Sequence, residues 1–286
     1  MAKFPNSRSE IAVPKRQLRA RQQLVEFFRT LASAWEPQQW WPAETTFEVI
    51  VGAYLTQNTS WTNVERAVNN LRAAHRLSLE GIRGASVLQL ERLIRPAGYF
   101  RQKAHRIKLF VEFLDRNFGG SLERMFATPT AELRAMLLAL HGVGPETADS
   151  VLLYAGNHLV FVVDAYTRRI LFRHRLIQPD ADYEQIRQLV ETALGGVPPD
   201  DLVPRPVSPL ITLEGVTRGA AHEPSPVSST ERPVPVQVLN EMHALIVGVG
   251  KDFCRKAVAR CEGCPLRPLL EGSPRKERAR KRRRQS

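Results

Sequence analysis

Residues 140–150 read LHGVGPETADS, and twenty positions beyond Gly144 stands Asp164, in VVDAYTRRI. A Gly-x-Gly turn through Gly142, Val143 and Gly144, with Pro145 at the first position of the next helix, leaves backbone N–H groups bare at a helix N-terminus. Such a terminus is an anion site. In a chain of formal charge +12 the natural anion is a nucleic-acid phosphate. Asp164 follows the apolar run LVFVV, so its backbone is held against a buried segment. A carboxylate placed there can cap the following helix, present a fixed negative charge to a reacting centre, or do both. Three of the four tryptophans, Trp40, Trp41 and Trp61, surround one loop-helix-loop unit. They can serve as core or as stacking faces for a planar ligand, and indoles favour a cationic one.

The chain has 286 residues, 43% of them hydrophobic and 24% charged, as expected of a globular protein with one large core or two modest lobes. Residues 275–284 (RKERARKRRR) hold eight basic residues and one Glu, which supply +7 of the +12 and leave a mild basic bias of +5 elsewhere. Like-charge repulsion predicts a disordered basic tail over 271–286. The sequence MAKFPNSRSE has no apolar signal core, no apolar run is long enough to span a membrane, and 1–15 reads as a flexible N-terminus. Three cysteines, an odd number, argue against a disulfide framework and for a reducing compartment that contains DNA, such as the bacterial cytoplasm.

Helical spacing positions these groups. Leu18, Leu24, Val25, Phe28 and Leu31 share one stripe; Phe47, Ile50, Val51, Tyr54 and Leu55 form another. Further stripes run through 64–71, 87–94, 104–114, 130–140 and 145–155. No stretch alternates with period two, and the fold class is all-α. Residues 197–236 break the pattern with nine of the twenty prolines and read as a long loop or disordered insertion of no evident function. Helix resumes near Val236.

The hairpin and Asp164 together resemble the endonuclease III superfamily of helix-hairpin-helix (HhH-GPD) DNA glycosylases. Leu140, Gly142, Val143, Gly144, Thr147 and Ala148 match the hairpin, and Asp164 matches the catalytic aspartate. Agreement runs from about Arg16 to Pro268, broken by the insertion. The Trp-Trp-Pro segment 40–42, the turn LTQNT before an aromatic (Trp61) and a late lysine, Lys251, are similar to the 3-methyladenine DNA glycosylase III branch. The resemblance implies two helical lobes: a six-helix bundle over 39–158, and a second lobe from 16–38 and 159–270 with DNA bound between them. It implies base excision from duplex DNA by a monomer. Trp40, Trp41, Pro42 and Trp61 would form the base pocket and Asp164 would stabilise the oxocarbenium-like sugar.

Other family positions carry over singly. Gln57 and Asn58 fall at the intercalating turn and Tyr99 at a second wedge, with Arg101 and Lys103 as phosphate partners. Lys251 matches a lysine that can become carbamylated, with a phosphate contact as its plainer role. The chain departs from the family twice. Bifunctional members carry, just inside the second hairpin helix, a lysine that forms a Schiff base; here that position is Glu146, which cannot. The resemblance therefore implies a monofunctional enzyme, in which Glu146 favours the helix dipole or joins the active site. Cys254, Cys261 and Cys264 match three of the four iron–sulfur ligands, but the fourth slot is Leu270. No cofactor is required by this chemistry, and a [4Fe–4S] cluster would need an unorthodox ligand or an open iron. Two alternatives use the same scaffold: a glycosylase for mismatched thymine or uracil or for oxidised pyrimidines, and a DNA-binding protein without catalysis.

Overall fold

A computed structural model describes residues 15–195 and 219–270. The predicted flexible N-terminus, the part of the insertion from 197 to 218 and the basic tail lie outside the described residues. Within them the fold is all-α, with no strand; Cys254 and Ala259 pair in an isolated bridge. No helix among the described residues is long and apolar enough to cross a membrane.

The helices pack in two groups. The first is built around α2 (Thr46–Leu55), where Phe47 through Leu55 are all buried, so the predicted stripe is one side of a helix covered all round. Thr45 caps it, its hydroxyl accepting from the Glu48 N–H at 3.2 Å. Against it pack α3 (Trp61–Ala73) and α6 (Phe100–Phe118), with α4 (Leu79–Gly84) and α5 (Val87–Leu93) laid on α6. Next come α7 (Leu122–Phe126), α8 (Thr130–Leu138) and α9 (Pro145–Ser150), which runs on as one wide π turn through Val151–Ala155. The predicted hairpin is therefore α8, the turn at 139–144, and α9.

The second group joins the two ends of the described chain. Helix α1 (Lys15–Ala34) packs along α11 (Tyr183–Leu194) and on α12 (Val234–Asp252), and α10 (Ala165–Arg173) also packs on α12. α12 is buried along most of its length and touches the 151–155 turn of the first group. The start of α10, the start of α9 and the middle of α12 thus meet where the groups join.

One ionic cluster fixes the hairpin to the second group. Arg134, on α8, donates to both oxygens of Asp149 on α9 at 2.7 and 3.1 Å, and to Glu184 on α11 at 2.5 Å. Asp149 is fully buried, and burial raises its carboxyl even as Arg134 pulls it down. Removing the arginine leaves a buried charge without its partner, which typically costs about 3–5 kcal/mol. Arg134→Met is accordingly expected to destabilise the fold by about 3 kcal/mol at neutral pH. Urea unfolding of variant and parent checks this; midpoints that coincide would show the cluster to be energetically neutral.

Candidate active site

Asp164 is the N-cap of α10. Its Oδ1 accepts from the Thr167 N–H at 2.7 Å, which fixes the side-chain rotamer and leaves Oδ2 directed elsewhere. Oδ2 lies 3.7 Å from His243 Nε2, and the Asp164 side chain stays 12% exposed. His243, buried on α12, meets the Tyr154 hydroxyl at Nδ1 over 2.6 Å. Burial pushes the Tyr154 hydroxyl well above its usual range, and the charge of Asp164 adds to that, so it keeps its proton. The other ring nitrogen of His243, Nε2, faces the carboxylate. Burial lowers the imidazole, against the pull of Asp164. This chain of tyrosine, neutral histidine and aspartate was not foreseen. In sequence each is only a lone polar residue in an apolar helical run, with no sign of the others.

Glu146, in the first turn of α9, shares the same cleft. Its side chain is exposed to solvent on one side; desolvation by the surrounding chain first, and the charge of Asp164 second, push it up to about 7. Near neutrality Glu146 therefore titrates beside the Asp164 carboxylate.

Beside the carboxylates lies an aromatic cage. Trp40 and Trp61 are partly exposed; Trp41 is buried beneath them, its centroid 5.2 Å from the Trp61 ring, edge to face, and 5.1 Å from Tyr154. Its indole lies against Gly52, where a Cβ would come within 3.0 Å of the ring. Trp41 is thus the floor of the cage rather than an open stacking face. The Trp40 ring is 6.1 Å from His243, which links cage to carboxylates, and the Lys251 ammonium stands 5.8 Å over it. Pro42 is half-buried behind the two tryptophans.

The residues expected to meet DNA divide sharply. Asn58 and Tyr99 are exposed with left-handed backbone (φ 55° and 46°), and Arg101 is exposed beside Tyr99. Gly142 and Gly144 have no acceptor for their N–H groups among the described residues. Lys103 corrects its assignment: it is 1% exposed, and its ammonium donates to the Leu55 and Ala97 carbonyls at 2.9 and 2.8 Å. Burial, then Arg106, lowers it to about 8, and it ties α6 to the ends of neighbouring segments instead of meeting phosphate. Gln57, too, is held inward. It donates to the Gly142 carbonyl and the Thr147 hydroxyl at 3.1 and 2.8 Å, and accepts from Arg106 at 2.6 Å. Thr147 and Val143 are buried, and the Val143 N–H is spent on Leu140. Gly142 is needed twice: its φ is 78°, and a Cβ there would overlap the Arg106 guanidinium.

The cysteine loop follows α12. Cys254, Cys261, Cys264 and Leu270 line one cavity of about 30 Å³, so Leu270 does occupy the fourth slot. No group of three or more metal-ligating side chains with metal-binding geometry occurs among the described residues. Arg173 donates to Cys254 Sγ at 3.2 Å and to the Arg255 and Lys256 carbonyls, and Arg169 to the Cys254 carbonyl at 2.7 Å. Burial raises the Cys264 thiol to about 11. These residues do not fit a four-cysteine cluster.

The model of the HhH-GPD superfamily of base excision DNA repair proteins matches residues 51–195. The chain belongs to that superfamily. It is 40% identical over 246 residues to a Methanocaldococcus jannaschii protein described as a DNA repair glycosylase, covering 85% of this chain and 94% of that one. The H. pylori 3-methyladenine DNA glycosylase bound to 1,N6-ethenoadenine superposes with a TM-score of 0.59 at 26% identity, covering 81% of this chain and 97% of the other. Endonuclease III trapped on DNA shares the fold, with a TM-score of 0.62 at 18% identity over 93% of this chain and all of that one. The protein is thus a DNA glycosylase of the base excision repair family.

The cysteine loop yields a prediction. Purified protein should carry no stoichiometric iron and show no broad visible absorption, while Arg173→Ala should lower the melting temperature. Near-stoichiometric iron with sulfide would overturn the assignment of the loop to arginine.

Proposed function

We propose that this glycosylase is monofunctional and releases alkylated purines. The observation that carries the proposal is the link through His243: one ring touches both the Trp40 face of the cage and the carboxylate of Asp164. A base seated on Trp40 and Trp61 has its sugar directed toward Asp164 and Glu146. N3- and N7-alkylated purines are cationic, so electron-rich indoles bind them through their faces as well as by apolar burial. Their glycosidic bonds are already weakened, so the enzyme need only hold a negative charge near C1′ as the base departs and guide a water to it. Asp164 Oδ2 is the oxygen available for that work. His243, which faces that oxygen from 3.7 Å, is a positioning residue.

DNA lies in the groove between the two helix groups, with the hairpin amides of Gly142 and Gly144 on a phosphate. Asn58 and Tyr99 project as wedges into the space the extruded base leaves, and Arg101 meets the backbone. Gln57, Thr147, Val143 and Lys103 build the surfaces that carry these contacts. Glu146 occupies the Schiff-base lysine position, so the product is an intact abasic site.

A duplex panel tests the proposal: release of 3-methyladenine or 7-methylguanine, without release of mismatched thymine or uracil, is expected. Asp164→Asn should lower that rate by about 10²–10³-fold, the usual cost of one lost transition-state charge contact. Borohydride with abasic DNA should trap no covalent adduct. Thymine release without alkylpurine release would overturn the lesion class, and an equal rate in Asp164→Asn would overturn the role of that carboxylate.

A pH profile gives a separate prediction. Glu146 is neutral below its raised pKa of about 7 and anionic above it. A second negative charge beside the forming sugar cation favours the transition state, so single-turnover rates should rise with pH through about 7. Glu146→Gln should flatten that rise. A variant profile that keeps the same rise would assign the titration to another group.

A further inference from the structure

We propose that His222 is a specificity-determining wall of the base pocket, brought there by the proline-rich insertion, a step that rests on taking the Trp40–Trp61 cage as the base pocket. The described end of the insertion, from Gly219, is a strap laid on the tryptophan loop. Its His222 ring sits 5.4 Å from Trp40 and 5.8 Å from Trp61, centroid to centroid. The tilts are 51° and 55°, so the imidazole is not a third stacked layer. It leans on both indoles at once, at an angle to each. A flipped base is recognised by stacking on its faces and by hydrogen bonds to its edge. Indoles supply the first; a polar ring packed against both of them bears on the second.

The strap is anchored well enough to place that ring. The Ser225 hydroxyl accepts from the Ala43 N–H at 3.1 Å, and the Val227 N–H donates to the Ala43 carbonyl at 3.2 Å. Ser228 donates to the Gln39 side chain, and Gln38 to the Gly219 carbonyl. Arg232, buried, gathers the far end: it donates to the Val227, Ser228 and Thr230 carbonyls and to Asn157, at the end of the wide turn. An arginine committed wholly to backbone carbonyls and one amide has a fixed structural purpose, since its charge has no acid partner there and burial lowers its pKa. The contacts of His222 therefore belong to a built segment.

The wall should act on selectivity more than on overall rate. Single-turnover release is compared for wild type, His222→Ala and His222→Phe on duplexes carrying 3-methyladenine, 7-methylguanine, 1,N6-ethenoadenine, hypoxanthine, thymine or uracil. His222→Ala is expected to change the ratio between the two best-released bases by about tenfold, and His222→Phe, which restores the ring but not its nitrogens, should leave that ratio altered. Ratios unchanged within about twofold in a His222→Ala protein that melts like wild type would overturn the proposal. The outcome is independent of the lesion class: should wild type prefer thymine or uracil, the alkylpurine reading fails while the ratio test on those bases still decides the wall. Tryptophan fluorescence during titration with free 7-methylguanine and free adenine gives a reading without catalysis. His222→Ala should shift their relative affinities by about tenfold, and equal shifts for both bases, or none, count against it.

Discussion

Asp164 has two oxygens, and the fold gives each a different task. One accepts the Thr167 N–H and closes the start of α10; the other faces His243 and the cleft. A carboxylate at a helix N-terminus is stabilised by the local dipole and held in one rotamer, so the start of the helix decides where its charge stands. That placement depends on α10 being immobile. The helix is secured on α12 by packing and on the cysteine loop by Arg169 and Arg173. The buried Arg134 cluster makes the hairpin equally rigid against α11.

The hairpin turn is held from below in the same spirit. Arg106, Gln57, Gly142 and Thr147 form one relay of hydrogen bonds, with the guanidinium filling the space that a side chain at 142 would need. The turn can then face a polyanion with bare amides and still not sag when unoccupied. Lys103 does similar work a turn away, spending its charge on two carbonyls. Basic residues in this protein are divided between those that meet solvent and those that replace missing backbone partners.

How much of this could be read from residue order follows a physical line. Local features were legible: the hairpin with Pro145 opening α9, Asp164 as cap of α10, and the long helical stripes, because each is set by neighbours within about four positions. Leu270 in the fourth cysteine slot was also legible, since the resemblance to the family's cysteine motif put it there. Orientation was not. Lys103 and Gln57 look like DNA contacts in sequence, and only packing shows that their polar ends turn inward. The partners Tyr154 and His243 are 89 residues apart, and no periodicity connects them. The insertion looked like an interruption; from Gly219 onward it is part of the wall around the tryptophans.

The cage has a consequence for when the enzyme becomes competent. Trp40 and Trp61 lie near the start of the chain, whereas His222, His243 and Lys251 arrive almost two hundred residues later. Emerging from the ribosome, the first helix group can assemble on its own local contacts, because such contacts form early. Until the late segment threads back across it, that nascent lobe displays bare indoles with no finished receptacle. A chain cut short before that segment therefore holds its tryptophans without the imidazole contacts that complete their surroundings.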